Sequence, residues 1–506
     1  LFNAAKVLSG KTLDFIINAG FPFGDIAVRI DSLSAFFMIV ITFTLSTGVI
    51  YGYHYMSKYN DERDKQSLHW CSFILLQAGM MSVCMMQNIL AFLMSWEVMT
   101  VAAFILVIYD YETPNTIRAG LNYFIQSHIC VLLLITGFIW VSVSAGSLDF
   151  AVITAAVKSG TIKIGTWPFI ILFVGFAFKS GFVPLHTWLP WAHPAAPSHV
   201  SGVMSGVIIK MGIFGIFRVL PLYQGDMLQI GRLILLLSAA TALYGVMVAI
   251  IQHNLKRLLA YHSVENIGII GMGIGLGAIG TGMGNNMVAL AGYCGALLHT
   301  LNHSLFKSLL FFTAGTVYRK AHTLNIEELG GIAKKMPYTA SLFLTAALAI
   351  TGLPPFNGFI SEFLIYSSMY TGMTSGNLSF SMIFLCCIFA LVMVGGLAFL
   401  CFTKAFGIVF LGTPRHQLPD DCGEAEKWCL VPQFAILGII CLIGFFPAPF
   451  IKLVSIPALT LIPGIQKPAE ILAPVNSTML SISTGAILIV LICGAVYGLK
   501  LFITRK

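Results

Sequence analysis

Apolar runs long enough to cross a ~30 Å hydrocarbon core recur about thirteen times along the chain. They cover 33–55, 69–86, 89–109, 120–144, 167–188, 199–221, 229–251, 259–280, 286–317, 339–369, 380–411, 430–449 and 479–502. Backbone N–H and C=O groups cannot remain unpaired in lipid, so each run is expected to be a helix. The expected fold is an all-α, polytopic membrane protein with about 13–14 transmembrane helices. Composition agrees: 58% of residues are hydrophobic and 9% charged, whereas soluble domains carry about 25% charged residues. The formal net charge of +8 is ordinary for a protein whose inner-face loops collect Lys and Arg. No basic face with interleaved aromatics points to nucleic acid. The 11 cysteines lie mostly inside apolar runs and form no CxxC pair. Cys422 and Cys429 share a polar loop at a spacing that fits no common zinc or iron–sulfur pattern. Buried thiols acting as small hydrophobes are expected, with no redox centre in this chain. The opening "LFNAAKVLSG" has no initiator Met and does not look like a signal peptide, so the numbering is expected to start inside a longer protein.

Loop charge supports the helix count. The polar loops "SKYNDERDK", "YETPNTIR", "HNLKR", "YRKAHTLNIEELGGIAKK" and "TPRHQLPDDCGEAEK", and the terminal "TRK", all follow odd-numbered runs. They hold about fourteen Lys and Arg against about eight in the other loops and the N-terminal stretch, and are expected to be cytoplasmic. Two runs are interrupted by Gly and Pro: "FAFKSGFVPLHTWLP" and "ALAITGLPPFNGFISEFL". Grouping runs two to six and seven to eleven makes each interrupted helix the fourth of five. Five is odd, so the second unit starts from the opposite face as an inverted repeat. Paired broken helices in inverted halves are the sequence pointer to an ion path. The expected divisions are 1–68 (N-terminal segment and first helix), 69–221 and 229–411 (the repeats), and 412–506 (C-terminal helices).

Ionisable side chains sit well inside these runs: Glu97, His128, Lys179, Lys210, His299, His303, Lys307, Glu362 and Lys404. An acidic or basic residue at a helix centre costs roughly 2.5–3.5 kcal/mol. Glu97, Lys179, Lys210, Lys307 and Glu362 together would cost on the order of 15 kcal/mol unpaired, as much as a domain's net stability. Pairing and internal water must recover much of that, and such residues mark conduction paths. "HTLNHSLFK" places His299, His303 and Lys307 on one helical face, successive groups ~6 Å apart along the axis, which suits stepwise proton transfer. The competing readings are a structural hydrogen-bonding pair and a metal site, but no Glu follows His299 as in HExxH and no third ligand is evident. Glu97 is the natural carboxylate partner of Lys179, either as a working pair or as a static ion pair between helices. His186, His193 and His199 lie where a helix is expected to end near the surface, and either cap helices or feed protons. Glu265 and His262 in "AYHSVENIG" are expected to begin a helix, where the dipole favours a structural carboxylate. Lys256 and Arg257 are expected to anchor the interface.

"SWEVMT", "FAFKSGFVPLHTWLPWAHPAAPSHVSGVMSGVIIKMGIFG", "NLKRLLAYHSVENIG", "LLHTLNHSLFKSLLFFTAGTV" and "LPPFNGFISEF" resemble the antiporter-like membrane subunits of respiratory complex I and its relatives. "HPAAPSHVSGVMSGVIIK" and "AYHSVENIG" look most like the large ion-pumping subunit of membrane-bound nickel–iron hydrogenases of the formate hydrogenlyase type, and His128 resembles the same members. The resemblance spans roughly 25–500. It implies that Glu97 is the uptake-side carboxylate paired with Lys179. Lys210 would then pass a proton through His299, His303 and Lys307 to Glu362 on the exit side. His128, His186, His193 and Lys404 are secondary relay candidates. Family members carry about two more helices before "VRIDSLSAFF", and larger relatives extend beyond this C-terminus.

The resemblance therefore implies a proton- or Na⁺-translocating subunit in a bacterial or archaeal cytoplasmic membrane. Other membrane subunits and a peripheral hydrogenase-like or NADH dehydrogenase-like redox arm would accompany it. The chain itself would hold no flavin, nickel, cluster or other cofactor and perform no catalysis. The alternatives are an Mrp-type cation/proton antiporter subunit without a redox partner, and a membrane metalloenzyme using the His-rich stretches.

Overall fold

The computed structural model describes residues 2–8, 10, 13–18, 20, 25–57, 63–374, 378–416, 418–419, 422–462, 464–465 and 468–504. Parts of three charged stretches in the loop-charge reading, 58–62, 417 with 420–421, and 505–506, lie outside the described residues. A short helix α1 (Phe2–Leu8) precedes an antiparallel hairpin of β1 (Leu13–Asn18) and β2 (Asp25–Ile30), in register from Leu13 opposite Ile30 to Asn18 opposite Asp25. The all-α reading did not anticipate this hairpin. Its second strand, "DIAVRI", buries alternate Ile26, Val28 and Ile30, the period-two pattern of a half-covered strand.

The rest is helical, and each apolar run falls on a helix. The first part comprises α2 (Ser32–Met56), α3 (Arg63–Met85), α4 (Ile89–Val107), α5 (Pro114–Ala145) and the short α6 (Phe150–Lys158). Then come α7 (Thr166–Ser180), α8 (Leu189–Ala195), α9 (Ser198–Val203), α10 (Ile209–Val219), α11 (Met227–Ile250), α12 (Leu255–Gly282) and α13 (Asn286–Ala321). The chain closes with α14 (Pro337–Ile350), α15 (Asn357–Met373), α16 (Leu378–Phe410), α17 (Lys427–Phe445), α18 (Pro447–Thr460) and α19 (Pro468–Thr504). Ten helical stretches among the described residues are long and apolar enough to cross a membrane.

Helix starts follow local chemistry. Asp31, Asn88, Asp149, Asp226, Asn254 and Asn285 each turn a side-chain oxygen onto the free N–H groups of the helix that follows, the standard N-cap arrangement. Both expected interruptions are present. α7 stops at Gly181, whose φ of 87° is the left-handed conformation glycine adopts without strain. The chain then turns through Phe182–Trp188 into α8. α14 stops before Gly352, and α15 resumes after "LPPF". Lys179 lies in the last turn before its break, whereas Glu362 lies beyond its own, on α15.

Burial separates a centre from a periphery. The stretch Ser198–Leu222 and α12 are each 94% buried over their most apolar windows, against 6% for α19. α11 and α12 meet backbone to backbone. A Cβ on Gly245 would lie 2.5 Å from the Glu265 amide nitrogen, and one on Gly268 would lie 2.5 Å from that of Ala242. Only residues without side chains fit such an approach.

Candidate functional site

The buried charges are held by α7, α10, α12, α13 and α15. Lys179 sits at the end of α7, where its Nζ donates to Tyr123 Oη at 2.9 Å and Thr100 Oγ1 at 3.4 Å, 5.0 Å above the centroid of the Tyr123 ring. The expected direct pairing with Glu97 is not made. Glu97 Oε2 is instead 3.7 Å from His128 Nε2, on a partly exposed outer face. Glu97 and Thr100 are one turn apart on α4, so the carboxylate lies about a turn from the group that does bind Lys179.

Between α9 and α10 the helix widens into a π-turn, Met204–Ile208. A π-turn releases a carbonyl from the regular ladder, and Lys210 Nζ donates to the carbonyl of Ser205 within it. The Ser205 hydroxyl is 2.8 Å from that of Ser263 on α12.

α13 carries His299, His303 and Lys307 on one face of an unbroken, buried helix. Asn266 Nδ2 donates to the His262 carbonyl, which turns its Oδ1 towards His299 Nε2 at 3.0 Å and makes that nitrogen the donor. His299 Nδ1 is 2.9 Å from Ser361 Oγ, which also lies 2.9 Å from the Gly358 carbonyl. Neutral His299 therefore accepts from Ser361; protonated, it donates to Ser361, whose hydroxyl turns to Gly358. The ring gains or loses a proton without losing a hydrogen bond. His303 is the opposite case: both ring nitrogens are buried without a hydrogen-bond partner among the described residues, and Lys210, Lys307, His299 and His193 all act on it electrostatically. Lys307 Nζ donates to the Leu259 carbonyl at 2.7 Å, and the Glu265 carboxyl acts on it electrostatically.

Glu265 corrects the sequence reading. The helix begins at Leu255 under the Asn254 cap, so Glu265 is about three turns inside it, hydrogen-bonded to His262 Nδ1 and buried. It therefore receives no help from a helix N-terminus. It interacts electrostatically with both Lys307 and Glu362, the carboxyl of the second broken helix. Glu362 packs on Gly352, where a Cβ would lie 2.6 Å from Oε2. Asn302 ties the helices together by donating to the Asn357 carbonyl at 2.7 Å and to Ser361 Oγ at 2.9 Å. Asn266, Ser361 and Tyr123 also escaped the sequence reading, because uncharged polar residues are common in membrane helices.

His186, His193 and His199 are buried, not near the surface, because α8 and α9 run inside the bundle against α12 and α13. Among the described residues none of the three caps a helix end. His186 packs on Tyr244, and His193 stacks on Phe311 at 4.7 Å. Lys256 is likewise buried and donates to the Ala196 carbonyl at 2.8 Å, so it is not an interfacial anchor. Lys404 donates to the Ile250 carbonyl at 3.1 Å, at the C-terminal end of α11 and away from the row.

Residues 86–390 match the family described as NADH:quinone oxidoreductase/Mrp antiporter, transmembrane. The chain belongs to this family. Among curated relatives, hydrogenase-4 component B of Escherichia coli (strain K12) is 36% identical over 86% of this chain and 65% of its own length. Formate hydrogenlyase subunit 3 of the same organism is 32% identical over 78% of this chain and 64% of its own. The chain thus spans about two thirds of the length of these relatives. A solved chain of the Mrp complex from Dietzia sp. DQ12-45-1b has the same fold, with a TM-score of 0.75 over 93% of this chain and 91% of that one at 20% identity.

Proposed function

We propose that this chain is the ion-translocating subunit of a redox-driven complex in a bacterial or archaeal cytoplasmic membrane, and that it moves protons or Na⁺. Lys179, Lys210, His299, His303, Lys307 and Glu362 form the relay, Glu265 joins Lys307 to Glu362, and Glu97 with His128 stands at the outer end. The supporting observation is the set of buried ionisable groups on α10, α12, α13 and α15, which interact electrostatically and of which one imidazole accommodates either protonation state. Uncompensated, such groups are too costly to keep inside a membrane for packing alone. Partner subunits supply the electron transfer, and this chain holds no cofactor. Kinship with hydrogenase-4 component B and formate hydrogenlyase subunit 3 favours a hydrogenase-type arm. The Mrp likeness supports a second reading, a cation/proton antiporter subunit with no redox partner.

The test is Lys179→Ala in the assembled complex reconstituted into vesicles. Electron transfer should persist in the presence of uncoupler while ion translocation per electron is lost; intact translocation would sink the relay. Mass spectrometry of the gently purified complex separates the two readings. A nickel–iron hydrogenase-like subunit supports the first, and small membrane proteins alone support the second.

A further inference from the structure

Two more buried histidines lie outside the row. His69 on α3 and His199 on α9 bring their Nε2 atoms to 2.8 Å, with rings edge to face and centroids 4.9 Å apart. Trp70 and Phe73 close around His199. Gly52 on α2 makes room for that ring: a Cβ there would lie 2.6 Å from its Cδ2. Burying two imidazoles carries a desolvation cost that an aliphatic pair would not. Each ring also leaves its Nδ1 buried with no hydrogen-bond partner among the described residues.

A cavity of about 190 Å³ lies beside the pair, lined by Tyr55, Tyr109, Asp110, Thr116, Lys256 and Tyr318. These residues belong to the face whose loops collect Lys and Arg. Tyr109 is 5.3 Å from His69 and Tyr55 is 5.8 Å from His199, ring centre to ring centre. On the inner side His193 has both ring nitrogens buried with no hydrogen-bond partner among the described residues, and Lys256 acts electrostatically on His193 and His199 alike. The titratable and charged groups facing the pair are thus Tyr55 from α2, Tyr109 and Asp110 after α4, Lys256 from α12, Tyr318 from α13 and His193 from α8.

We propose that the His69–His199 pair is a proton-uptake relay joining this cavity to His193 and so to the central lysines. The idea rests on the reading of the central row as a proton path. A proton arrives at Nδ1 of one ring, the proton between the Nε2 atoms crosses to the other ring, and that ring releases its own Nδ1 proton inward. One proton enters, one leaves and net charge is restored. The bond between the rings then runs in the opposite sense until the imidazoles tautomerise.

The test uses the assembled complex in vesicles, with proton translocation per electron measured between pH 6 and 8. His69→Gln and His199→Gln should each lower it by about tenfold at pH 8, less at pH 6 where protons are plentiful, with partial rescue by added imidazole. Wild-type profiles in both variants, or a loss that is flat with pH and not rescued, would overturn the proposal. If neither variant assembles, Asp110→Asn at the cavity mouth decides. The same alkaline-weighted loss supports the relay, and an unchanged profile rejects it. Lys179→Ala run alongside separates the two claims. If it still pumps, the central row fails. If it is dead while the histidine variants pump normally, only the uptake relay fails.

Discussion

Lys179 shows how a membrane-buried charge is made tolerable and available at once. Its ammonium rests on two hydroxyls and an aromatic face, none of them a carboxylate, so no strong ion pair holds its proton in place. Tyr123→Phe removes the shorter hydrogen bond while keeping the ring. A hydrogen bond to a charged group contributes about 1.5–3 kcal/mol, so translocation should fall by about tenfold or more with electron transfer under uncoupler unchanged. Wild-type translocation would show that Tyr123 does not hold the ammonium. Glu265→Gln keeps the shape and the His262 contact but removes the ionisable carboxyl that interacts with Lys307 and Glu362. Loss of translocation with normal assembly is expected, and translocation equal to wild type would return Glu265 to a structural role. The lysines and the α13 histidines were legible in the sequence because a charge inside an apolar run is conspicuous. Glu265 was misplaced because "AYHSVEN" is polar enough to look like a helix start, whereas the true cap, Asn254, stands three turns earlier.

At the scale of elements, two features fix the helix that carries Lys210, and neither has a plain sequence signal. The π-turn before Lys210 is built from ordinary residues and arises where α9 packs on α2 and α13 while α10 packs on α7. The clamp at the other end of that helix is Arg218, which grips Asp31 and the Ser34 hydroxyl and so ties α10 to the start of α2. Burial raises the Asp31 carboxyl, but the Arg218 charge and hydrogen bonds outweigh it and hold the group below its ordinary value of 3.8. A carboxyl with a lowered folded-state pKa stabilises the fold above its unfolded-state value. That contribution is lost as pH falls through the folded-state value. Arg218→Ala should cost about 1 kcal/mol, discounted because the pair is partly exposed. The deficit should be present at neutral pH, begin to shrink as pH falls below ~3.8 and vanish only below the lower folded-state value, read from thermal unfolding of the detergent-solubilised protein. A deficit that did not shrink on acidification would show that the ion pair is not its source. The break at Gly352, by contrast, was legible as "TGLPPFNG", because Gly and Pro interrupt a helix by their own covalent geometry.

Across the whole molecule, the count of crossings decides which face each loop occupies, and α18 puts that count to the test. The apolar run 430–449 stopped just inside α18, so the sequence reading gave this helix no place. α17 leaves the face where Arg319 meets Glu426 and His54 stacks on Trp428. It runs directly into α18 through Phe446, next to the second break, where a Cβ on Gly444 would lie 1.9 Å from the Pro355 carbonyl oxygen. α18 ends at Thr460 and Leu461, which line one cavity with Asp31 and Lys158 at the opposite face. With 19 and 14 residues, the two helices together measure about 50 Å, close to the ~54 Å of α13 with its 36 residues. They therefore make a single interrupted crossing alongside α2, and the alternation of loops read from Lys and Arg survives the extra helix. Cysteines placed singly in a cysteine-free background test this in intact cells. Ser159→Cys and Thr460→Cys should react with an impermeant thiol reagent added outside, and Thr113→Cys and Glu327→Cys only after permeabilisation. If α17 and α18 crossed separately, Thr460→Cys would join the second pair, and the C-terminal helix would run the other way.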